Sequence, residues 1–418
     1  MTRSKFKIIA IAVLGTVLEY YDYSLYGFLA VYLAQHFFPV PNPLDVYSQT
    51  ALLQTWAVFA AASLAKPLGA LWFGRLGDTR GRMASLRLNM WGIAIPTALI
   101  GILPGYHSIG LWAVVALFFC RILQGICLGG EYDGVTIYVL EHMGQKRPGL
   151  ANSMVILASS LGISMAAFAG SLVAKSGDQH FSWRLPFIVG GVFGLVVLCL
   201  RRNLAETPEF TAYLKKSPNK ASSSFKSFFK THWRFLMLVA LLCGSVGGSY
   251  HFYFVFLNSY LHQVIQFWPQ EISSFYLSMS LLIYTCSGPI AGLLSDKIGP
   301  KKTLLLALFA LIILIMLHVY GLAHHSLSPS LMLITAFGFA FFHVPGNVFL
   351  LQHIPVERRY RLLSLGHTLG SALLSGSTPA ICLFIWQNSQ QTVMPFYYLL
   401  FLLSLALLAI LRISRFKP

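Results

Sequence analysis

The chain has 418 residues, 56% of them hydrophobic and only 10% charged, with a formal net charge of +17. That much apolar surface does not fit inside one soluble core, so the composition marks a membrane protein. On a soluble domain the positive charge would suggest nucleic acid; here membrane topology explains it better, and no nucleic-acid partner is expected.

A spanning helix needs about 20 mostly apolar residues. Twelve such segments follow one another, at 8–35, 49–73, 85–104, 110–138, 150–174, 184–200, 234–262, 271–294, 303–323, 328–351, 362–386 and 393–411. The opening MTRSKFKIIAIAVLG imitates a secretion signal. Its apolar run continues past the tyrosines without a small-residue cleavage pattern, so it is expected to stay as the first span. Of the 30 Lys and Arg, 26 fall in the N-terminal tail, in 74–88, 139–149, 201–234, 296–302 and 353–361, and in the C-terminal tail. Only Lys66, Arg121, Lys175 and Arg184 lie elsewhere. The positive-inside rule then predicts cytoplasmic termini, with 36–48 and 104–110 facing outward across a bacterial inner membrane. Cys120, Cys127, Cys199, Cys243, Cys286 and Cys382 fall inside the proposed spans without Cys-x-x-Cys or Cys/His spacing. Neither disulfides nor a metal is expected.

The longest polar connection, 201–233, follows the sixth span. It predicts an N-terminal six-helix bundle over 1–200, a cytoplasmic connecting loop over 201–233 and a C-terminal six-helix bundle over 234–418. Two short stretches, GRLGDTRGRM (74–83) and GLLSDKIGPK (292–301), align Gly74 with Gly292, Leu76 with Leu294, Asp78 with Asp296 and Gly81 with Gly299, always 218 residues apart. A repeat at half the chain length signals a transporter built from two related bundles.

The pattern Gly-x-Leu-x-Asp-x-x-Gly resembles the signature between spans two and three of the major facilitator superfamily. LEYYDYSLYG, AKPLGALWFGRLGDTRGR, CRILQGICLGGEYDG, and SWRLPF followed by RRNLAETPEF narrow the resemblance to the metabolite:proton symporter family. Known members of that family take up proline and betaine, oxoglutarate, citrate or shikimate. The resemblance is dense over the N-terminal half and thinner over the C-terminal half, mainly at YHFYFVFLNSYL and GPIAGLLSDKIG. It implies an all-α membrane protein of twelve transmembrane helices in the major facilitator fold. A monomer without cofactors is expected. Lys66 stands where the family usually has Arg, Asp133 replaces a usual small residue, and Pro300 a common basic one. The long helical C-terminal extension of some osmosensing members is missing, which argues against an osmotic sensor.

Two acids open the candidate site. Glu19 lies 11 residues after Ile8, roughly 16 Å into a layer about 30 Å thick. At 100° per residue Glu19, Asp22, Tyr23 and Tyr26 share a narrow face. A charged acid facing lipid there costs about 2.5 kcal/mol or more, so a wet, protein-lined cavity is expected around Glu19 and Asp22, the candidate proton-coupling pair. Arg121, at roughly 15 Å depth, reaches the same level and is the expected cation for them. Arg121, Gln124, Leu128 and Glu131 share one face, and a guanidinium there can grip a solute carboxylate in two-pronged fashion. Glu131 lies toward the cytoplasmic mouth and is a secondary candidate. Asp133 projects about 120° from the Arg121 face, toward another helix, with no assigned role. Across YHFYFVF, Tyr250 and Tyr253 are the expected cavity-lining residues, because a buried hydroxyl wants a partner. Together with Tyr23, Tyr26 and Gln124 they complete the substrate-binding set. His251, His262, His343 and His367 read as hydrogen-bonded structural residues before proton carriers. The superfamily resemblance implies a cytoplasmic gate of Gly74, Asp78, Gly81, Arg82, Glu141 and Arg147, with Asp296 in the second half.

The expected function is proton-coupled import of a small carboxylate-bearing metabolite or zwitterion by alternating access. Efflux by proton antiport is the alternative. A bound anion needs Arg121, whereas a lipophilic cation needs an acid and aromatics only. A membrane sensor would want an appended domain, which 201–233 is too short to supply. No Ser-His-Asp, phosphate-loop or metal pattern points to an enzyme.

Overall fold

The computed structural model describes residues 3–39, 49–176, 181–216 and 225–416. Among them every regular element is helical. Twelve helical runs are long and apolar enough to cross a membrane: Lys7–Phe28, Thr50–Thr79, Arg82–Ile102, Leu111–Met143, Pro148–Lys175, Arg184–Arg202, Ser227–His262, Glu271–Ile298, Pro300–Ala323, Pro329–His353, Val356–Ser389 and Met394–Ile413. These are the twelve expected spans. Their outer faces carry exposed large apolar side chains such as Leu64, Trp112, Phe119, Phe309 and Ile313. A bilayer solvates such a surface as water cannot.

Some boundaries move. The first span, expected to run to residue 35, bends at Leu29 (φ −102°, ψ 11°), and a second helix, Ala30–Phe37, continues from it. The bonding survives the bend, because Leu29 N still donates to Leu25 O at 2.9 Å. Of the loop 36–48, expected to face outward, residues 40–48 lie outside the described residues, as do 217–224 of the 201–233 connection. The described part of that connection contains a short helix, Pro208–Lys216, and the helix of the seventh span already begins at Phe225.

The chain divides into two compact units, Met1–His142 with Ala158–Lys220, and Met143–Leu157 with Ala221–Pro418. The core of the first gathers Leu18, Tyr21, Tyr26, Met90, Ile93, Leu117, Trp183 and Phe187. In it the third and sixth spans pack backbone to backbone. A Cβ on Gly191 would overlap the Ala98 side chain, so the close approach requires glycine. The second unit contains π-helical turns at His251–Phe256, Tyr260–Val264 and Ser371–Ser375. Bonds such as Gly376 N to Ser371 O (2.8 Å) span five residues and shift the register of the side chains that follow.

The repeat is visible in the backbone. Gly81 (φ 108°, ψ 156°) caps the third span and Gly299 (φ 93°, ψ 145°) caps the ninth. Both lie in a region that is essentially glycine-only, which is why the same residue recurs 218 positions on. Pro300 then occupies the first position of the ninth span, where its missing N–H costs nothing.

Candidate functional site

In the first unit, Asp22, Thr97, Arg121 and Gln124 close one polar cluster from the first, third and fourth spans, every member at 0% exposure. Asp22 Oδ1 accepts hydrogen bonds from Thr97 Oγ1 (2.7 Å) and Gln124 Nε2 (2.8 Å), and Oδ2 accepts one from Arg121 Nη1 (3.3 Å). Arg121 Nη1 also donates to Gln124 Oε1 at 2.9 Å. The other edge of the guanidinium, Nε and Nη2, is buried and has no hydrogen-bond partner among the described residues. Beneath it lie the rings of Tyr26 (4.2 Å) and Phe59 (5.7 Å), and the Tyr26 hydroxyl donates to the Thr55 carbonyl at 3.1 Å. Tyr23 packs against Phe59 and carries the Lys66 ammonium 4.2 Å over its face.

Arg121 does not serve both acids, as the sequence reading expected. It pairs with Asp22 alone. Glu19, one turn away toward the N-terminus, faces the charges of Glu131, Lys66, Asp133 and Arg201, and its Oε2 is buried without a hydrogen bond. Glu131 has its own cation. Arg201 Nη2 lies 2.6 Å from Glu131 Oε1 and also donates to Ala12 O (2.7 Å), while Nη1 donates to Leu86 O (3.2 Å). By charge count Arg201 belongs to the cytoplasmic connection. In the structure it is the last inward-facing residue of the sixth span, at 0% exposure, while Arg202 is exposed. Gly15 makes room for this pair, since any Cβ there would overlap Arg201 Nη2 and Glu131 Oε1.

The residues of the first unit expected at the gate form a third cluster around Arg82, buried at 0% exposure. Its guanidinium meets Glu141 through Nη2–Oε1 (3.1 Å) and Nε–Oε2 (3.4 Å), Asp78 Oδ1 through Nη1 (3.3 Å), and the Gly77 carbonyl (2.6 Å). Motif residues with no role assigned from sequence complete it. Glu206 accepts from the Arg82 and Met83 amides at 3.1 and 3.0 Å, thereby capping the third span. Thr207 Oγ1 donates to Glu141, and Phe210 lies 4.7 Å under the guanidinium. RRNLAETPEF was the available signal, since an acid followed by Thr-Pro reads as a helix start. Gly74 is buried on the second span, one turn before Asp78. Arg147, expected in the same gate, is exposed and acts electrostatically on Asp296, whereas Glu141 is occupied by Arg82 and Thr207.

In the second unit Asp296 accepts from the Gly149 and Leu150 amides at 2.6 and 3.1 Å, an acid on a helix N-terminus rather than in an ion pair. Tyr253 is fully buried, and its hydroxyl donates to the Met332 carbonyl (3.0 Å), with His318 Nε2 at 3.3 Å. Tyr250 packs against Tyr284 and His343, and the Tyr284 hydroxyl meets His343 Nδ1 at 2.9 Å. The π turn at 251–256 separates the settings of Tyr250 and Tyr253 more than a regular helix would.

The model of the Major Facilitator Superfamily matches residues 12–379. A proline/betaine transporter of Salmonella typhimurium is 30% identical over 414 residues, covering 94% of this chain and 80% of the relative. A glycine betaine/proline/ectoine/pipecolic acid transporter of Dickeya dadantii is 30% identical over 422 residues, covering 96% and 82%. Among solved structures, a proton:xylose symporter bound to 6-bromo-6-deoxy-D-glucose superposes with a TM-score of 0.74 at 17% identity, over 99% of this chain and 96% of that one. A major facilitator transporter in the outward conformation gives 0.72 at 14% identity, over 98% and 100%.

Proposed function

Since the chain belongs to the Major Facilitator Superfamily and is a multi-pass membrane transporter, we propose that it imports a small carboxylate-bearing solute together with a proton, by alternating access. The observation that carries this reading is the unsatisfied edge of Arg121. Two donors of a buried guanidinium without partners are costly, and a carboxylate accepts both at once. Asp22, gripped by three donors, keeps the guanidinium aimed, and Tyr23, Tyr26 and Gln124 shape the site around it. Glu19 and Asp22 are the proton-coupling acids. Glu19, with an oxygen free of donors, takes up the proton, and Asp22 passes the change to Arg121. The relatives' named solutes, proline and betaines, each carry a carboxylate, which agrees with an arginine anchor. The orientation that goes with this function has both termini in the cytoplasm of a bacterial inner membrane.

The test is to measure gradient-driven uptake and counterflow side by side in reconstituted vesicles. Glu19→Gln and Asp22→Asn should abolish accumulation against a gradient, and Glu19→Gln should spare exchange, because exchange returns the loaded carrier without releasing the proton. Arg121→Lys should do the reverse, keeping the charge while losing the planar fork, so that solute affinity falls. Accumulation by both acid variants at the wild-type level would demote Glu19 and Asp22 to helix-pairing residues. An Arg121→Lys variant of unchanged affinity would favour export of a lipophilic cation instead.

A further inference from the structure

We propose that Glu131 is the second station of the transported proton: it takes the proton from Glu19 through ordered water and releases it toward the cytoplasm, with Arg201 as its charge partner. The inference rests on reading Glu19 as the acid that loads the proton. Gly15 lies one turn before Glu19 on the first span, and a Cβ there would overlap both Arg201 Nη2 and Glu131 Oε1. Helical side chains lean back toward the N-terminus of their helix. The Glu19 carboxyl therefore leans toward the turn against which the Glu131–Arg201 pair is seated. Glu131 is foremost among the charges that face it, with Lys66, Asp133 and Arg201 after it. Cys127, one turn earlier on the fourth span, also lies within reach of the Glu131 charge.

The pair leaves room for a proton. Arg201 meets Glu131 through one nitrogen and one oxygen, Nη2 and Oε1 at 2.6 Å, where a purely structural pair gains by closing two contacts at once. Glu131 Oε2 and Arg201 Nε stay buried without a hydrogen-bond partner among the described residues, and so does Glu19 Oε2. Asn89 adds two more such atoms. It lies one turn after Leu86, whose carbonyl accepts from Arg201 Nη1 at 3.2 Å, and its Nδ2 is 3.0 Å from where a Cβ of Gly130 would stand. Asn89 is fully buried, and neither Oδ1 nor Nδ2 has a partner among the described residues. Buried polar atoms left open in this way are costly, and water is the group that satisfies several of them at once. Water so held offers the proton a path along one side of the first span. The charges balance along it. As Glu19 gives up its proton, Glu131 becomes neutral and Arg201 is left as an uncompensated cation. That charge expels the proton from Glu131, which re-forms its ion pair. The exit is short, since Arg202, the next residue on the sixth span, is exposed.

The first test needs no variant to fold. A structure of the wild type at a resolution that shows ordered water should place water on Glu131 Oε2 and on the Asn89 amide, and a dry site would overturn the proposal. The second test separates loading of the proton from its release. The purified full chain in detergent, weakly buffered with a pH-indicator dye, is mixed in turn with L-proline, glycine betaine, oxoglutarate, citrate and shikimate. Where a probe binds, the wild type should take up a proton. Glu131→Gln should retain that uptake, with solute affinity within about twofold of the wild type, whereas Glu19→Gln should lose it. In reconstituted vesicles Glu131→Gln should lower gradient-driven accumulation roughly a hundredfold, the scale of one proton-transfer group, and should keep solute exchange. Glu131→Asp should restore part of the accumulation. Asn89→Leu, which unpairs no charge, should reduce accumulation with exchange intact. Wild-type accumulation by Glu131→Gln or by Asn89→Leu would overturn the relay and leave Glu19 as the sole carrier. Joint loss of accumulation, exchange and solute-linked proton uptake in Glu131→Gln would overturn it too, and would make Glu131 a structural partner of Arg201. If Glu19→Gln still takes up the proton, or if no probe binds the wild type, the reading of Glu19 itself fails and the relay falls with it.

Discussion

Arg201 shows how much one buried side chain can hold. From the sixth span it reaches the carbonyls of Ala12 and Leu86 and the carboxylate of Glu131, on the first, third and fourth spans. Removing one partner of such a pair leaves an uncompensated buried charge, which costs about 3–5 kcal/mol. Arg201→Met should therefore lower the thermal unfolding temperature of the purified protein markedly, and Arg201→Met combined with Glu131→Gln should recover most of the loss. A double variant no more stable than Arg201→Met would show that the arginine acts through the two carbonyls. Depth and helical face bring Asp22 and Arg121 together from sequence alone, because both lie mid-span, where 100° per residue holds. The same counting cannot place Arg201. At the end of a span an arginine either snorkels outward or turns in, and RR offers both, Arg202 taking the first course and Arg201 the second. The pairing of Glu19 is hidden for a related reason: spacing fixes the face of one helix and leaves open which neighbour supplies the cation.

The glycine turns before the third and ninth spans have the same backbone in different surroundings. At Gly81 a Cβ would be forced into the Glu206 carboxylate, whereas at Gly299 it would meet nothing within 4 Å. Both substitutions to Ala carry backbone strain of about 1–3 kcal/mol. Gly81→Ala should cost more than Gly299→Ala, because it also displaces the acid that caps Arg82 and Met83. Unfolding temperatures of equal value would mean that the Glu206 cap contributes nothing. The network around Arg82 also makes a functional forecast. Asp78→Asn removes a charged partner of a guanidinium that lies away from the Asp22–Arg121 cluster, so it should slow transport while leaving equilibrium solute binding within about twofold, the scale of a few tenths of a kcal/mol. A large loss of affinity with intact cycling would place Asp78 in the solute site instead. Spans and repeat are legible because bilayer thickness and glycine-only backbone leave direct marks on sequence. The π turns near Tyr250 leave none, since residue type alone does not report an inserted register step.

At the scale of the whole molecule, charge is the property that organises the chain. Lys and Arg number 30 against 13 Asp and Glu, yet the loops 36–48 and 104–110 carry none of the basic residues. Lys and Arg flanking short loops resist translocation, so this asymmetry sets the orientation of all twelve spans at once. Two sites in the first unit report it. Ser108 is exposed in the short connection 104–110, and Lys215 is exposed on the helix Pro208–Lys216. Cys199 and Cys286, which are exposed, would first be replaced by Ser to remove background. In intact cells a membrane-impermeant thiol reagent should then label Ser108→Cys and spare Lys215→Cys, and permeabilisation should make the second as reactive as the first. Labelling of Lys215→Cys with protection of Ser108→Cys would invert the topology. It would put the Arg82–Glu141 network at the outer mouth and turn the proposed route for the proton around with it.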